Sequence, residues 1–342
     1  MSENPERVLI FQTAYLGDVV LTTPLIQAVH DRFPDAAIDI VVQPQWAPIV
    51  QHHRHIRQVI AYDKRGADEG LGNTIRFARE LAKEKYDIVF CPHPSFRSGL
   101  ILFLAGIKKR IGFDDSSGRY FYNTKVHRDT RRHEVLRILS LMSAVDGKTE
   151  PAPPLHIDSD PAFDRAALMR RCGIREGAKL AGIHPGSVWA TKRWLPERFG
   201  EVAKHLADSY DQVVIFGGPG EEELATQVAI EAGVELVNLA GRLALDELIV
   251  AISAMNLFVT NDSGPMHIAS AFGVPVVAVF GSTVPRLGYA PWGEKSSVVE
   301  IDLSCRPCGP HGHQVCPLDH FKCMREITAA MVLEACAAFA VE

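Results

Sequence analysis

The chain has 342 residues, of which 47% are hydrophobic and 23% charged, and its net charge is −5. That composition excludes a disordered or low-complexity chain and gives nucleic acid no general electrostatic hold on it. The length exceeds what a single core usually organises and predicts two domains.

The start, MSENPER, lacks the basic and apolar regions of a secretory signal. No apolar run reaches the roughly 20 residues that span a bilayer. Seven cysteines, an odd number, include Cys91 and Cys172 in apolar or helical contexts and suit a reducing compartment. The expectation is a cytoplasmic protein.

From the N-terminus, the apolar runs VLIF, AIDIVV and YDIVFC read as strands, separated by helical stretches at 18 to 32 and 72 to 85. The stretch YLGDVVLTTPLIQAV places Asp18 where the first strand gives way to a helix, a position at which a carboxylate commonly serves as a cap. Residues 1–150 hold 21 basic and 18 acidic side chains. Most of that excess lies between Arg97 and Arg137, where ten bases, among them Lys108, Lys109, Arg110, Arg119, Arg131 and Arg132, face four acids. This is either a solvated surface or a docking site for an anionic acceptor or a membrane surface.

A proline-bearing linker, EPAPPLHI at 150 to 157, precedes a second series of strands in KLAGIHPG, QVVIFGG, VELVNLA, LFVTND and VPVVAVFG. Residues 151–342 are acidic, with 15 bases against 23 acids. Strands that are apolar throughout are covered by helices on both faces, so the expected fold is α/β, two Rossmann-like doubly wound domains facing a central cleft, with ligands at the carboxyl ends of strands.

Three strand-to-helix turns of the second half look built for an anion. In TNDSGPMH, Ser263 is placed to cap a helix whose first turn holds Gly264 and Pro265, ahead of His267. Asp262 beside it suits sugar hydroxyls. In HPGSVWATKRW, Ser187 and Lys192 can contact a diphosphate. In FGGPGEEEL, Gly217, Gly218 and Gly220 admit close backbone approach, and Glu221 or Glu222 can take a ribose diol.

No G-x-G-x-x-G fingerprint and no P-loop lysine motif is present, against a nicotinamide or flavin enzyme. The only D-x-D is Asp158-Ser159-Asp160, expected to start a helix, so the diphosphate is expected to be neutralised without metal. Cys305, Cys308, Cys316 and Cys323 invite comparison with a zinc site; the spacing of the second pair and the adjacent prolines speak against it, and a structural zinc stays as the alternative.

These stretches resemble the ADP-heptose:lipopolysaccharide heptosyltransferases, metal-independent inverting glycosyltransferases of the GT-B fold. The similarity spans nearly the whole chain, through YLGDVVLTTPLIQAV, SFRSGLILFLAGIKKRIGF at 95 to 113, HPGSVWATKRW and, most specifically, TNDSGPMHIASAFGVPVVAVFGSTVP. The tail CRPCGPHGHQVCPLDHFKCMREIT is similar to that of the subgroup adding the second core heptose. The resemblance implies an acceptor domain at 1–155, an ADP-heptose domain at 156–326, and a last helix, about 327 to 341 within 327–342, that crosses back onto the first domain. It implies Asp18 as catalytic base, and an unperturbed Asp is ionised at pH 7. Lys192 and Ser187 would hold the diphosphate, Asp262 the heptose, and Ser263, Gly264, His267 and the Gly218 turn the phosphates or nearby nucleotide. Arg97, Arg119 and Arg132 would face the anionic lipopolysaccharide core, with transient contact to the inner face of the inner membrane. No cofactor is implied, ADP-heptose being the donor substrate. The alternatives are a GT-B nucleotide-sugar epimerase, or a non-catalytic nucleotide-sugar-binding protein.

Overall fold

The computed structural model describes residues 4–147 and 152–339. Glu150 and Pro151 of the expected linker, and residues 340–342, which the last expected helix reached, lie outside them. The chain divides into two compact units, Met1–Asp158 and Ser159–Glu342. The division falls just past the expected 155 because the intervening residues are tied to the first unit: the His156 N–H donates to Thr23 Oγ1 at 3.1 Å, and Arg54 pairs with Asp158 at 3.1 Å.

The first unit runs β1 (Arg7–Phe11), α1 (Leu16–Arg32), β2 (Ala37–Val42), β3 (Ile56–Ala61), α2 (Leu71–Lys83), β4 (Ile88–Cys91), α3 (Phe96–Leu104), β5 (Lys109–Phe113), β6 (Thr124–Val126), α4 (Glu134–Leu139) and α5 (Ser143–Asp146). Its strands form one parallel sheet in the order β3-β2-β1-β4-β5-β6. Val8, Leu9, Ile10 and Phe11 are fully buried, as a central strand covered on both faces requires. Helix α1 continues through Pro24, whose ring nitrogen has no hydrogen to give Val20 O; the Thr23 hydroxyl donates there instead, at 2.8 Å.

The second unit runs α6 (Arg165–Arg171), β7 (Leu180–His184), α7 (Pro196–Leu206), β8 (Gln212–Ile215), α8 (Glu222–Ala232), β9 (Val237–Asn238), α9 (Leu245–Ile252), β10 (Leu257–Asn261), α10 (Gly264–Ala271), β11 (Val276–Val279), β12 (Ser296–Val299), α11 (Lys322–Arg325) and α12 (Ala329–Ala337). Its parallel sheet is ordered β12-β11-β10-β7-β8-β9, the same doubly wound plan in which strand order reverses beside the unit's first strand. Trp194 and Phe199 are fully buried in its core, and α12 packs there, with Ala329, Val332 and Cys336 buried. Within the second unit α12 packs on α7, β11 and β12.

Asp158-Ser159-Asp160 starts no helix. Asp158 is engaged by Arg54, the Asp160 carboxylate accepts from the Ala162 N–H at 2.8 Å, and α6 is capped by Asp164, which accepts from the Ala167 N–H at 2.8 Å. Among the described residues no helix is long and apolar enough to cross a membrane.

Candidate active site

In the first unit, the turn joining β1 to α1 is fixed by side chains from three other loops. Gln43 Nε2 donates to Thr13 O at 3.0 Å and Ala14 O at 2.6 Å, Lys64 Nζ donates to Thr13 O at 2.6 Å, and Thr13 Oγ1 meets His93 Nδ1 at 3.1 Å. Such a turn holds Asp18 in the first turn of α1 with little freedom. Its carboxylate accepts from the Tyr15 N–H at 3.1 Å, the capping role legible in the sequence.

Capping is not all that Asp18 experiences. Burial among protein atoms, and next the nearby Glu134, push its pKa up to about 6, against the opposing pull of the Tyr15 N–H and Arg128. The unperturbed carboxylate expected from sequence is therefore corrected: Asp18 titrates closer to neutral pH than a free carboxylate. Glu134 is itself buried and clamped, accepting from Arg128 Nη2 at 2.9 and 3.0 Å and from Arg137 Nη1 at 2.8 Å. Nothing near Asp18 in sequence signals this Glu134, Arg128 and Arg137 network; it arrives through the packing of α4 on α1.

The basic stretch divides. Arg97 starts α3 at the carboxyl edge of the sheet and gives Nη1 to Lys64 O at 2.8 Å. Arg119 bonds the Tyr120 hydroxyl at 2.8 Å, and Arg132 lies half-buried in the loop beyond β6. Lys108, Lys109 and Arg110 stand at the opposite, amino end of β5. There Lys108 pairs with Asp87 at 3.2 Å, Lys109 donates to Ala144 O at 2.8 Å, and Arg110 donates to Phe121 O at 2.8 Å. They belong to a different surface from Arg97 because a strand separates them from the carboxyl edge.

In the second unit, the three turns expected to cooperate do meet at the carboxyl edge of their sheet. Lys192 Nζ and Asp262 Oδ2 form an ion pair at 2.6 Å, with the Thr283 hydroxyl donating to the same oxygen at 2.7 Å. Asn261 staples the loop in place: its Nδ2 donates to Pro185 O at 2.7 Å, and its Oδ1 accepts from the Trp194 N–H at 3.0 Å. Ser187 is buried beside them, its carbonyl accepting from Arg193 Nε at 2.7 Å.

Ser263 occupies the N-cap position of α10, but its hydroxyl does not cap. It turns back to Thr260 Oγ1 at 3.2 Å and His184 Nδ1 at 3.3 Å, which compete successfully for it. Gly264 and Pro265 open the helix, and His267 is buried within it. The start of α10 thus has no side-chain cap of its own and suits an external anion.

The two glutamates part company. Glu221 turns inward, its carboxylate accepting from the Gly218 N–H at 2.8 Å and lying 3.5 Å from His184 Nε2. Burial opposes its ionisation, but His184 and the Gly218 N–H outweigh that and hold it below the usual range. Glu222 is exposed at the start of α8, toward the Gly241 turn, and among the described residues its carboxylate has no hydrogen-bond partner.

Two contributors escaped the sequence. Arg306 is buried and donates Nη2 to Phe280 O at 2.9 Å and Thr283 O at 2.8 Å, holding the loop after β11 that presents Thr283. The segment around His311 docks on the Lys192 loop: the Thr191 N–H donates to His313 O at 3.0 Å, and the His313 N–H to Thr191 Oγ1 at 2.8 Å. The four tail cysteines are free thiols, with Cys323 buried and Cys305, Cys308 and Cys316 half-buried. Among the described residues no group of three or more His, Cys, Asp or Glu is disposed to hold a metal ion.

Two doubly wound parallel sheets in succession, with an acid at the carboxyl edge of the first and a lysine–aspartate pair beside an uncapped helix start at that of the second, define a GT-B glycosyltransferase. Residues 74–320 match glycosyltransferase family 9 (heptosyltransferase), and the chain belongs to that family. It is similar to lipooligosaccharide heptosyltransferase 2 of Campylobacter jejuni, 27% identical over 335 residues and 96% of each chain. A glycosyl transferase family 9 structure from Veillonella parvula superposes with a TM-score of 0.85 at 26% identity, covering 99% of this chain and 98% of that one. The structure of Escherichia coli ADP-heptose lps heptosyltransferase II gives a TM-score of 0.80 at 24% identity over 98% of both chains.

Proposed function

We propose that this glycosyltransferase moves heptose from ADP-heptose to the inner core of lipopolysaccharide with inversion at the anomeric carbon and without a metal. The observation that carries the reading is Asp18, a rigidly held carboxylate whose pKa of about 6 suits a general base near neutral pH. The acceptor hydroxyl attacks the anomeric carbon and gives its proton to Asp18, while the bond from that carbon to the diphosphate oxygen breaks and its electron pair leaves with ADP.

Lys192 and the start of α10 offset the charge that grows on the leaving diphosphate, with the Ser187 hydroxyl as a further donor. Asp262, retained by Thr283 when Lys192 turns to the phosphates, accepts from the heptose hydroxyls. Glu222, with its unengaged carboxylate, takes the ribose diol in preference to Glu221, which is already satisfied. Arg97, Arg119 and Arg132 face the anionic core, and the enzyme works on the cytoplasmic side of the inner membrane.

The test is incubation with ADP-heptose and a panel of truncated core acceptors, scored by the mass gain of the acceptor and release of ADP. Gain of one heptose only when both substrates are present supports transfer. Turnover of the donor alone would mean an epimerase or hydrolase, and binding of ADP with no turnover a silent binding protein.

A further inference from the structure

Helix α3 buries Ser98, Ile101 and Leu102, yet its opposite face is also apolar. Phe96, Leu100, Phe103 and Leu104 recur at the spacing of a single helical stripe. Phe96 is 54% exposed, Phe103 52% and Leu104 43%, and Tyr120, in the turn that packs on α3, is 73% exposed. The Phe121 ring joins the patch together, 5.1 Å from Phe96 and 5.7 Å from Phe103. A contiguous exposed patch of aromatic and aliphatic groups marks a docking surface more often than an idle one.

Its rim identifies the occupant. Arg110 stands over the Phe103 ring at 5.6 Å and Arg119 over the Tyr120 ring at 4.6 Å, and the Lys108 side chain is 81% exposed. In a chain with a net charge of −5, an apolar stripe flanked by Arg110, Arg119 and Lys108, with Asp87 the acid beside Lys108, is a local exception. We infer that the outer face of α3, with Tyr120 and its basic rim, docks on an anionic lipid bilayer. Phenyl rings and leucines enter the headgroup boundary, the tyrosine sits at its level, and the arginine and lysine heads reach the phosphates. Because α3 starts at the carboxyl end of β4, the edge that also carries Asp18, a chain docked through α3 keeps that edge near the headgroup layer, where a lipid-anchored acceptor lies. That purpose rests on the function proposed above; the docking itself does not.

The test is flotation of the full chain with vesicles of phosphatidylcholine alone and of phosphatidylcholine mixed with phosphatidylglycerol, at low and high salt. The expected result is binding to the anionic vesicles only, weakened by salt. Phe96→Ser with Phe103→Ser, and separately Lys108→Glu, should each lower partitioning, the double variant by about tenfold or more, while the thermal midpoint and turnover on a delipidated acceptor stay unchanged. No vesicle binding by the native chain, or equal binding by the double variant, overturns the inference. So does loss of a dimer in the double variant without vesicle binding, which would assign the face to a second copy. Vesicle binding by a chain that transfers no heptose in solution would leave the docking standing and sink the proposed function.

Discussion

Replacing Asp18 by Asn should make the first unit more stable while disabling the enzyme. Folding raises the carboxyl from 3.8 to about 6, chiefly by burial and then by Glu134, so the folded state resists its ionisation. For an acid with a raised folded pKa the penalty is absent below the unfolded pKa, grows between the two values and is complete above the folded one. Roughly two pKa steps correspond to about 3 kcal/mol above pH 7, and about half of that remains at about pH 5. The asparagine side chain removes the charge and keeps an oxygen for the Tyr15 N–H, now 3.1 Å from the carboxylate, so the cap survives. Urea unfolding of native chain and variant at about pH 8 and about pH 5, followed by first-unit probes, measures the difference. A gain that shrinks on acidification is expected. A variant no more stable at the higher pH, or a gain independent of pH, would refute a strained Asp18 carboxylate.

Lys192→Met should weaken ADP binding and also destabilise the second unit by about 3 kcal/mol, because it leaves Asp262 buried without its cation; Lys192→Met with Asp262→Asn should recover most of the stability but not the ADP affinity, as calorimetry and unfolding can show. Burial holds the His53 imidazole down to about 4, so its neutral form stabilises the fold above pH 6.5 and that contribution is lost as pH falls from 6.5 towards 4; His53→Leu should flatten the acid limb of first-unit stability, and an unchanged limb would assign the sensitivity elsewhere. Thr283→Val should lower heptose transfer with ADP affinity kept, since it frees Asp262 from a bond and leaves Lys192 in place; a change confined to ADP affinity would contradict that assignment. Transfer should persist in EDTA without added divalent cation, and loss in chelator with recovery in Mg²⁺ would overturn the lysine-and-dipole account of the leaving group.

Most strands legible in the sequence were those covered on both faces, β9, an edge strand read from VELVNLA, being the exception. β1, β7, β10 and β11 are buried from end to end or nearly so, and their apolar runs announce them. β3, β6 and β12 are edge strands with half-exposed residues, and β3 reads IRQVIA, so no continuous apolar run marks them. Asp18, Lys192 and Asp262 were legible because strand-to-helix turns are short and local. Glu134, Arg128, Thr283 and Arg306 were not, since each reaches the site through a fold contact with no sequence period to betray it. Ser263 shows the limit even of local reading: the residue stands at the N-cap, but His184, a strand away, takes its hydroxyl.

The central claim is that Asp18 takes the acceptor proton. The most direct measurement is a single-turnover rapid-quench experiment with Asp18→Asn, saturating ADP-heptose and a core acceptor, at a pH where the native carboxylate is ionised. The account predicts a chemical step slower by about 10²–10⁴ with donor affinity kept within a few-fold. A rate within a few-fold of the native chain would contradict it.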